Sequence, residues 1–154
     1  MCSSDLTGIG DIYFDFDQYT VRSDAQATLE RNAQWILRES DKSVLIEGHC
    51  DERGTLAYNL VLGEKRAHSA KRYLENLGIP ASRLQITSYG EVRPSCKEHN
   101  EGCWKYNRRA HFVAREVRHH PYLHSTTFNG GHRELYLAPG SDGCWLDRAD
   151  WLCW

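Results

Sequence analysis

The chain has 154 residues, with 19 basic and 21 acidic side chains and a formal net charge of −2 at pH 7. This length suits one domain with a tail, and it supports a core that needs neither metals nor disulfides to be stable. The near-neutral charge gives no sign of a nucleic-acid-binding surface, and no apolar run is long enough to cross a bilayer. Residues 1–10 also lack the basic start and apolar middle of a signal peptide.

The first part of the chain predicts a strand, a helix and a second strand. Alternating apolar and polar residues over 11–17 predict the first strand, whose buried face would carry Ile12, Phe14 and Phe16. A helix that runs to about Glu39 is predicted, with Ser23 or Asp24 as its N-terminal cap. Its apolar positions recur at helical spacing and are Ala25, Leu29, Ala33, Ile36 and Leu37. The apolar centre of residues 43–49 predicts the second strand.

The next part predicts another helix and two more strands. The helix is expected over 55–77 and ends at Gly78. Its inner stripe would consist of Leu60, Ala67, Ala70, Leu74 and Leu77. Residues 84–89 predict the third strand, 90–107 a long loop, and 108–116 the fourth strand.

This order of elements predicts a two-layer α/β (α+β) sandwich over residues 11–116. The two helical crossovers allow the first three strands to be parallel. The fourth strand can insert antiparallel, which gives a βαβαβ-β mixed sheet with both helices on one face.

Neither end of the chain continues this pattern. Residues 1–10 are expected to be an artefactual segment, the alternatives being an irregular natural terminus or a lipidated Cys2. From Val117 onward strand and helix periodicity disappear, so residues 117–154 are predicted to be an irregular, poorly packed tail. Readthrough, a frameshift or a lineage-specific extension would each produce such a tail.

The most informative stretch is Gly-His-Cys-Asp-Glu-Arg-Gly at 48–54, followed by the helical residues 58–67. It places Asp51 in the turn after the second strand and Arg66 on the second helix. Together they could hold a zwitterion, because Asp51 would accept an ammonium and Arg66 would bind a carboxylate through its planar fork. A structural salt bridge or two solvated charges would be the alternative.

These residues, with Asn107-Arg108-Arg109, closely resemble the signature of the OmpA-like peptidoglycan-binding domain, in the form that peptidoglycan-associated lipoproteins carry. The resemblance covers roughly 12–113 and implies the same α/β sandwich. It implies that Asp51 and Arg66 hold the two ends of a diaminopimelate side chain, with further contacts from Phe16, Asp17, Asn59 and Leu62. Two departures are Cys50, where Thr is frequent, and Gly63, where Ser is frequent, and neither removes a charge.

The resemblance also implies a role and partners. It implies a non-catalytic protein without a cofactor, on the periplasmic side of the outer membrane of a Gram-negative bacterium. It would tether that membrane to peptidoglycan through a lipid anchor missing from this chain, with TolB and the Tol complex as partners. Porin-linked and motor-stator forms are alternatives within the family. A cell-wall amidase or a thiol oxidoreductase is the alternative from another class, but no metal triad, facing Cys-His pair or Cys-Xaa-Xaa-Cys is visible.

Several cysteine, histidine and arginine side chains need separate interpretation. Cys96, His99 and Cys103 have a spacing that zinc could use, although a fourth ligand would be required. Some members of the resembled family carry a cysteine pair in this loop, which favours a Cys96–Cys103 disulfide and no metal. His49 is predicted to be a structural, hydrogen-bonded histidine, and Cys50 a small buried residue. Of Arg108 and Arg109, one is expected to brace the acidic turn or the ligand pocket and the other to face solvent.

Overall fold

The computed structural model describes residues 8–116, together with the backbone of four later strands at 124–128, 131–137, 144–147 and 150–153. The chain divides into two compact units, Met1–Val117 and Arg118–Trp154. Among the described residues no helix is both long and apolar enough to cross a bilayer.

The first unit contains a four-stranded mixed sheet. Its strands are β1 (Ile12–Tyr13), β2 (Lys42–His49), β3 (Leu84–Gly90) and β4 (Arg109–Glu116), in the spatial order β1-β4-β2-β3. β2 and β3 are parallel, whereas β4 runs antiparallel to both β1 and β2. The predicted insertion of an antiparallel fourth strand is therefore confirmed.

Three helices accompany this sheet: α1 (Ser23–Arg38), α2 (Leu56–Asn76) and α3 (Glu101–Asn107). α2 begins where predicted, because the Thr55 side chain accepts a hydrogen bond from the Tyr58 N–H. It ends before Gly78, which has φ +97° and so adopts a conformation that glycine tolerates best. The predicted cap of α1 is wrong, since its N-cap is Arg22 and no side chain caps it.

One core lies between the sheet and the helices α1 and α2. Apolar side chains from all four strands and both helices form it, including Ile12, Phe14, Leu29, Ile36, Val44, Ile46, Ala67, Leu74, Leu84 and Phe112. Three apolar positions that we assigned to the helix interiors are instead exposed, namely Leu37, Leu60 and Leu77. In α2 the buried positions include Asn59, Leu62 and Arg66, so polar residues occupy part of the stripe where only apolar side chains were expected.

The first strand is shorter than predicted, and Phe16 is not buried. After Phe14, whose N–H donates to the Arg108 carbonyl, the chain leaves the sheet and turns. Gln18 N–H donates to the Asp15 carbonyl, and Asp17 has φ +54°. The alternation of apolar and polar residues therefore no longer predicts burial after Phe14. Phe16 lies on the turn and is 54% exposed.

The domain begins earlier than predicted, and its predicted long loop contains a helix. Ile9 is buried in the core, and Gly10 exchanges two backbone hydrogen bonds with the Asn32 side chain, at 2.9 and 2.8 Å. The predicted start at residue 11 is therefore too late, while residues 1–7 of the expected artefactual segment lie outside the described residues. The predicted long loop 90–107 contains α3, which is capped by the Asn100 side chain on the Cys103 N–H.

The second unit contains regular strands, so the prediction of an irregular tail is wrong in its secondary structure. Strands β5 (His124–Phe128), β6 (Gly131–Leu137), β7 (Cys144–Asp147) and β8 (Asp150–Cys153) pair in sequence order, each antiparallel to the next. The Gly130-Gly131 pair was the available signal, because two glycines between short runs often mark a hairpin.

Candidate functional site: a charged pocket at the end of β2

A cavity of about 230 Å³ lies where the turn after β2, the start of α2 and the turn after β1 meet. All six residues predicted to contact a ligand line it: Phe16, Asp17, Asp51, Asn59, Leu62 and Arg66. Cys50, Arg53, Gly54 and Tyr58 complete the lining. The fold thus brings together residues from three separate segments that sequence reasoning had assigned to one site.

Arg66 points from the buried face of α2 into this cavity and is 1% exposed. Its guanidinium donates to three backbone carbonyls, those of Gln18 (2.8 Å), His49 (2.9 Å) and Asp15 (3.1 Å). A guanidinium has five N–H donors, so these three bonds leave two for a bound group. Burial lowers the pKa of Arg66, but an arginine stays protonated at neutral pH.

Asp51 is the buried acid of the pocket and is 4% exposed. Its carboxylate accepts hydrogen bonds from the Arg53 N–H (3.1 Å), the Arg53 guanidinium (2.7 Å) and the Arg108 guanidinium (3.2 Å). Burial alone would raise the pKa of Asp51, but the hydrogen bonds from Arg53 and Arg108 outweigh it, so the pKa is lowered. Asp51 is therefore a carboxylate at neutral pH.

Asp51 and Arg66 do not form the salt bridge that was the simplest alternative for this pair. Within residues 8–116 the ion pairs of Asp51 are with Arg53 and Arg108, and Arg66 is bound by carbonyls. The two opposite charges are therefore held separately on the lining of one cavity. Such an arrangement can engage the two ends of a zwitterion at once.

Asn59 fixes the acidic turn from the first turn of α2. Its amide nitrogen donates to the carbonyls of Asp51 (3.2 Å) and Arg53 (3.2 Å) and to the Glu91 carboxylate (2.5 Å). Because Asn59 is 2% exposed, its amide has a fixed position at the cavity.

The rim of the cavity is formed by aromatic and acidic side chains. The Tyr58 hydroxyl donates to the Asp17 carboxylate, and this bond raises the pKa of Tyr58. The Phe16 ring lies against the Arg53 guanidinium, 4.0 Å from its central carbon. Asp17 is thereby engaged by a neighbouring side chain, and Phe16 offers an exposed apolar surface beside two buried charges.

The structure resolves which arginine of the Asn-Arg-Arg motif braces the turn. Arg108 is 6% exposed and donates to Asp51, to Glu101 (2.6 Å) and to the Phe14 carbonyl (3.0 Å). Arg109 does not face solvent as expected, since its side chain is 12% exposed and lies 3.8 Å from Asp11. Arg53 was missed at the sequence level, although its position in the acidic motif was a usable signal.

The predictions for His49 and Cys50 have different outcomes. Within the described residues neither ring nitrogen of His49 has a hydrogen-bond partner, so the prediction of a hydrogen-bonded histidine is wrong. The ring stacks on Tyr89 at 5.6 Å, and burial lowers its pKa to about 3. Cys50 is a buried thiol that donates to the Asn59 carbonyl at 3.3 Å, and burial raises its pKa to about 11.

Cys96 and Cys103 form a disulfide with their Cα atoms 5.2 Å apart. The zinc alternative is thereby contradicted, because both sulfur ligands are used in the bond. His99 instead contacts the Glu52 carboxylate at 2.6 Å. Among the described residues no group of three His, Cys, Asp or Glu side chains is placed to hold a metal ion.

Comparison with known proteins bears on the whole domain. The OmpA family model matches residues 13–108. The peptidoglycan-associated lipoprotein of Agrobacterium fabrum is 47% identical over 103 residues, which cover 66% of this chain and 58% of that protein. The protein of the same name from Brucella melitensis is 46% identical over 110 residues, which cover 70% of this chain and 66% of that protein. This chain thus spans 58–66% of the length of these relatives.

Solved structures show the same fold. The crystal structure of the peptidoglycan-associated lipoprotein from Burkholderia pseudomallei matches with a TM-score of 0.66 at 41% identity, covering 68% of this chain and 89% of that chain. The C-terminal domain of Helicobacter pylori MotB also matches with a TM-score of 0.66, covering 72% of this chain and 88% of that chain, but at 19% identity it shows the fold alone. The chain belongs to the OmpA family, in the form represented by the peptidoglycan-associated lipoproteins.

Proposed function

We propose that this chain binds peptidoglycan non-covalently, by holding the diaminopimelate side chain of the stem peptide in the cavity at the end of β2. The observation that carries the proposal is the separate support of two buried opposite charges on one cavity. Asp51 is held by Arg53 and Arg108, and Arg66 is held by three carbonyls. Buried ionised groups with perturbed pKa values that line one cavity are typical of functional sites.

The free end of diaminopimelate carries an ammonium and a carboxylate on one carbon. Asp51 would accept the ammonium, and the two remaining N–H groups of Arg66 would bind the carboxylate. Asn59, Asp17, Phe16 and Leu62 would surround the rest of the side chain. The cavity lining has two acidic residues, Asp17 and Asp51, and two arginines, Arg53 and Arg66, so a ligand with no net charge at its end suits it.

We also propose a place for this binding in the cell. The names of the similar proteins describe lipoproteins associated with peptidoglycan. By likeness, this chain would tether the outer membrane to the cell wall from the periplasmic side, with TolB and the Tol complex as partners. Sequence identity of 46–47% to these lipoproteins, against 19% to a motor protein of the same fold, favours this form over the motor-stator form.

Catalysis of amide hydrolysis is the alternative from another class, and the one cysteine at the cavity does not favour it. Burial raises the pKa of Cys50 to about 11, so very little thiolate is present at neutral pH. His49 is next to Cys50 in sequence but stacks on Tyr89, with no hydrogen bond to the thiol. We therefore propose binding without bond cleavage.

Calorimetric titration with two soluble stem peptides tests this function. One peptide carries diaminopimelate and the other carries lysine, which has the ammonium but not the adjacent carboxylate. We expect the diaminopimelate peptide to bind about ten- to hundredfold more tightly, because a charged hydrogen bond contributes about 1.5–3 kcal/mol. Equal affinities would overturn the proposal. Mass spectrometry of the recovered peptide separates the classes, since an amidase would return cleaved products.

A further inference from the structure

Helix α3 lies beside the acidic turn and is joined to it by side-chain interactions. Glu101 accepts hydrogen bonds from Arg108 (2.6 Å) and Arg53 (3.4 Å). The Trp104 ring lies 4.2 Å from the Arg53 guanidinium carbon, and its indole N–H donates to Glu52 at 2.9 Å. The two arginines that bind Asp51 are therefore themselves held by α3.

Arg53 makes cation–π contacts with two aromatic rings. Its guanidinium carbon lies 4.0 Å from the centre of the Phe16 ring and 4.2 Å from the centre of the Trp104 ring. Cation–π contacts leave the edge of the planar guanidinium available for hydrogen bonds. An N–H group on this edge donates to Asp51 at 2.7 Å. The two ring contacts of Arg53 therefore set the direction from which the carboxylate is held.

A disulfide and the hydrogen bonds of one side chain join the two ends of the segment that contains α3. The Cys96–Cys103 disulfide joins the loop before α3 to the helix, and Cys103 is 2% exposed. The Asn107 side chain then binds the same loop, accepting from the Ser95 and Cys96 N–H groups and donating to the Cys96 carbonyl, at 2.9, 2.9 and 2.8 Å. Glu101 and Trp104 lie between these closures, so their positions depend on them.

We propose that Arg53 and Arg108 are positioning residues for Asp51, and that the disulfide-closed segment 95–107 sets the affinity of the pocket by holding both arginines. This inference rests on the proposed function of the same site. A carboxylate already fixed in orientation binds an ammonium without a further ordering cost. Opening the disulfide frees α3, so that Arg53, Arg108 and Asp51 must be ordered when the ligand binds.

The first test compares the oxidised chain, the chain reduced by a dithiol, and the Cys96→Ser/Cys103→Ser variant. In the reduction, two protein thiols form and the dithiol becomes a cyclic disulfide. We expect the reduced chain and the variant to bind the diaminopimelate peptide about tenfold more weakly than the oxidised chain. The variant should not respond to the reductant. Equal affinity in a reduced chain that still shows a cooperative melting transition would overturn the role of the disulfide.

The second test uses Arg53→Met, which keeps an apolar stem beside Phe16 and Trp104 and removes the guanidinium. The titratable and charged groups that interact with Asp51 lie in the acidic turn, on α2, on α3 and just before β4, and they include Cys50, Glu52, Arg53, Arg66, Glu101 and Arg108. Losing Arg53 raises the pKa of Asp51, so the decline of peptide affinity at acid pH should start at a higher pH. Arg53→Lys keeps the positive charge and should reverse part of this shift. A role in stability alone would not move this pH profile.

Arg31→Met is the matched control, because it removes one arginine from α1, where Arg31 donates to Thr28. The dependence of its peptide affinity on pH should equal that of the wild type, because Arg31 does not line the cavity. The titration of the peptide itself affects all samples equally. An Arg53→Met profile that also equals the wild type would overturn the positioning role. If the wild-type chain fails to bind the diaminopimelate peptide, the proposed function fails, and that result is distinct from unchanged variants of a chain that binds.

Discussion

Gly48 and Gly63 are in backbone contact: a Cβ atom on Gly48 would lie 1.8 Å from the carbonyl oxygen of Gly63. This contact lets α2 pack directly against β2, and it brings Arg66 close to the end of the strand that leads into Asp51. The same contact accounts for glycine at position 63, since a Cβ atom there would lie 2.9 Å from the Gly48 carbonyl oxygen and 2.4 Å from the Ser88 hydroxyl oxygen. That hydroxyl donates to the Leu60 carbonyl at 2.7 Å.

Gly48→Ala should therefore destabilise the domain. The added methyl group meets helix backbone and not a flexible side chain, so α2 must move away from β2. Overpacking of this kind costs about 1–3 kcal/mol, which corresponds to roughly 4–8 °C in melting temperature for each kcal/mol. Thermal unfolding followed by circular dichroism measures the effect. An unchanged melting temperature would show that the helix and the strand are less closely packed than described.

Arg66→Lys should remove the selectivity of the pocket. Lysine keeps the charge but loses the planar fork, so it cannot bind several carbonyls and a ligand carboxylate together. We expect about ten- to hundredfold weaker binding of the diaminopimelate peptide and little remaining preference over the lysine peptide. Arg66→Ala is a poorer test, because it would leave three buried carbonyls without their donor. A lysine variant that still discriminates would contradict the role of Arg66.

Asp51→Asn should weaken both peptides together. The amide has the shape of the carboxylate but lacks the charge that an ammonium needs, and both peptides carry that ammonium. We expect roughly tenfold or greater losses, with the ratio of the two affinities nearly unchanged. Calorimetry on the same pair of peptides gives both numbers. A selective loss for one peptide would mean that Asp51 and Arg66 do not have the separate roles assigned to them.

His49 should make the domain less stable in acid. Burial lowers its pKa from 6.5 to about 3, so the unfolded chain binds more protons than the folded chain between these values. The part of the free energy of unfolding that depends on neutral His49 is fully present above pH 6.5 and is lost as the pH falls toward 3. Near pH 5 the loss should reach about 2 kcal/mol.

His49→Phe is the variant that isolates this effect. It keeps a ring to stack on Tyr89, and it removes two ring nitrogens that have no hydrogen-bond partner in the described part of the chain. Urea unfolding of both proteins at about pH 7 and about pH 5 should show a smaller acid loss for the variant, by roughly 2 kcal/mol. His111, whose pKa is raised by its hydrogen bond to Asp11, is common to both proteins. If the free energy of unfolding decreased equally in both proteins between the two pH values, the pH dependence would be due to other groups.

Deleting residues 118–154 should leave the melting temperature of the first unit nearly unchanged. The first unit has a core of its own, formed by residues between Ile9 and Ala114. Calorimetry of the chain that ends at Val117, compared with the full chain, measures this. A drop of several degrees would show that the second unit contributes to the stability of the first.

The pattern of the chain predicted the sheet because the strands and the helices α1 and α2 have largely apolar faces at regular spacing. The same reasoning failed for Phe16 and Leu60, which follow the periodicity of a strand and a helix but lie outside the packed interface. The spacing of apolar residues shows which face of a helix or strand is able to pack against a core. Which part of that element meets the sheet depends on where the chain turns, and here the turn at Asp17 and the polar buried residues of α2 decide it.

By itself, the sequence determined the order of the four strands and of α1 and α2 in the first unit, and the two charges of the pocket, because helical spacing, strand alternation and the acidic turn are local properties. Only the tertiary structure decided which arginine supports Asp51. Arg108 and Asp51 are separated by 57 positions, and their contact depends on β4 lying beside β2. The burial of Ile9 and the contact between Trp104 of α3 and Arg53 were also decided by the tertiary structure, since contacts between distant segments leave no periodic signal in either segment.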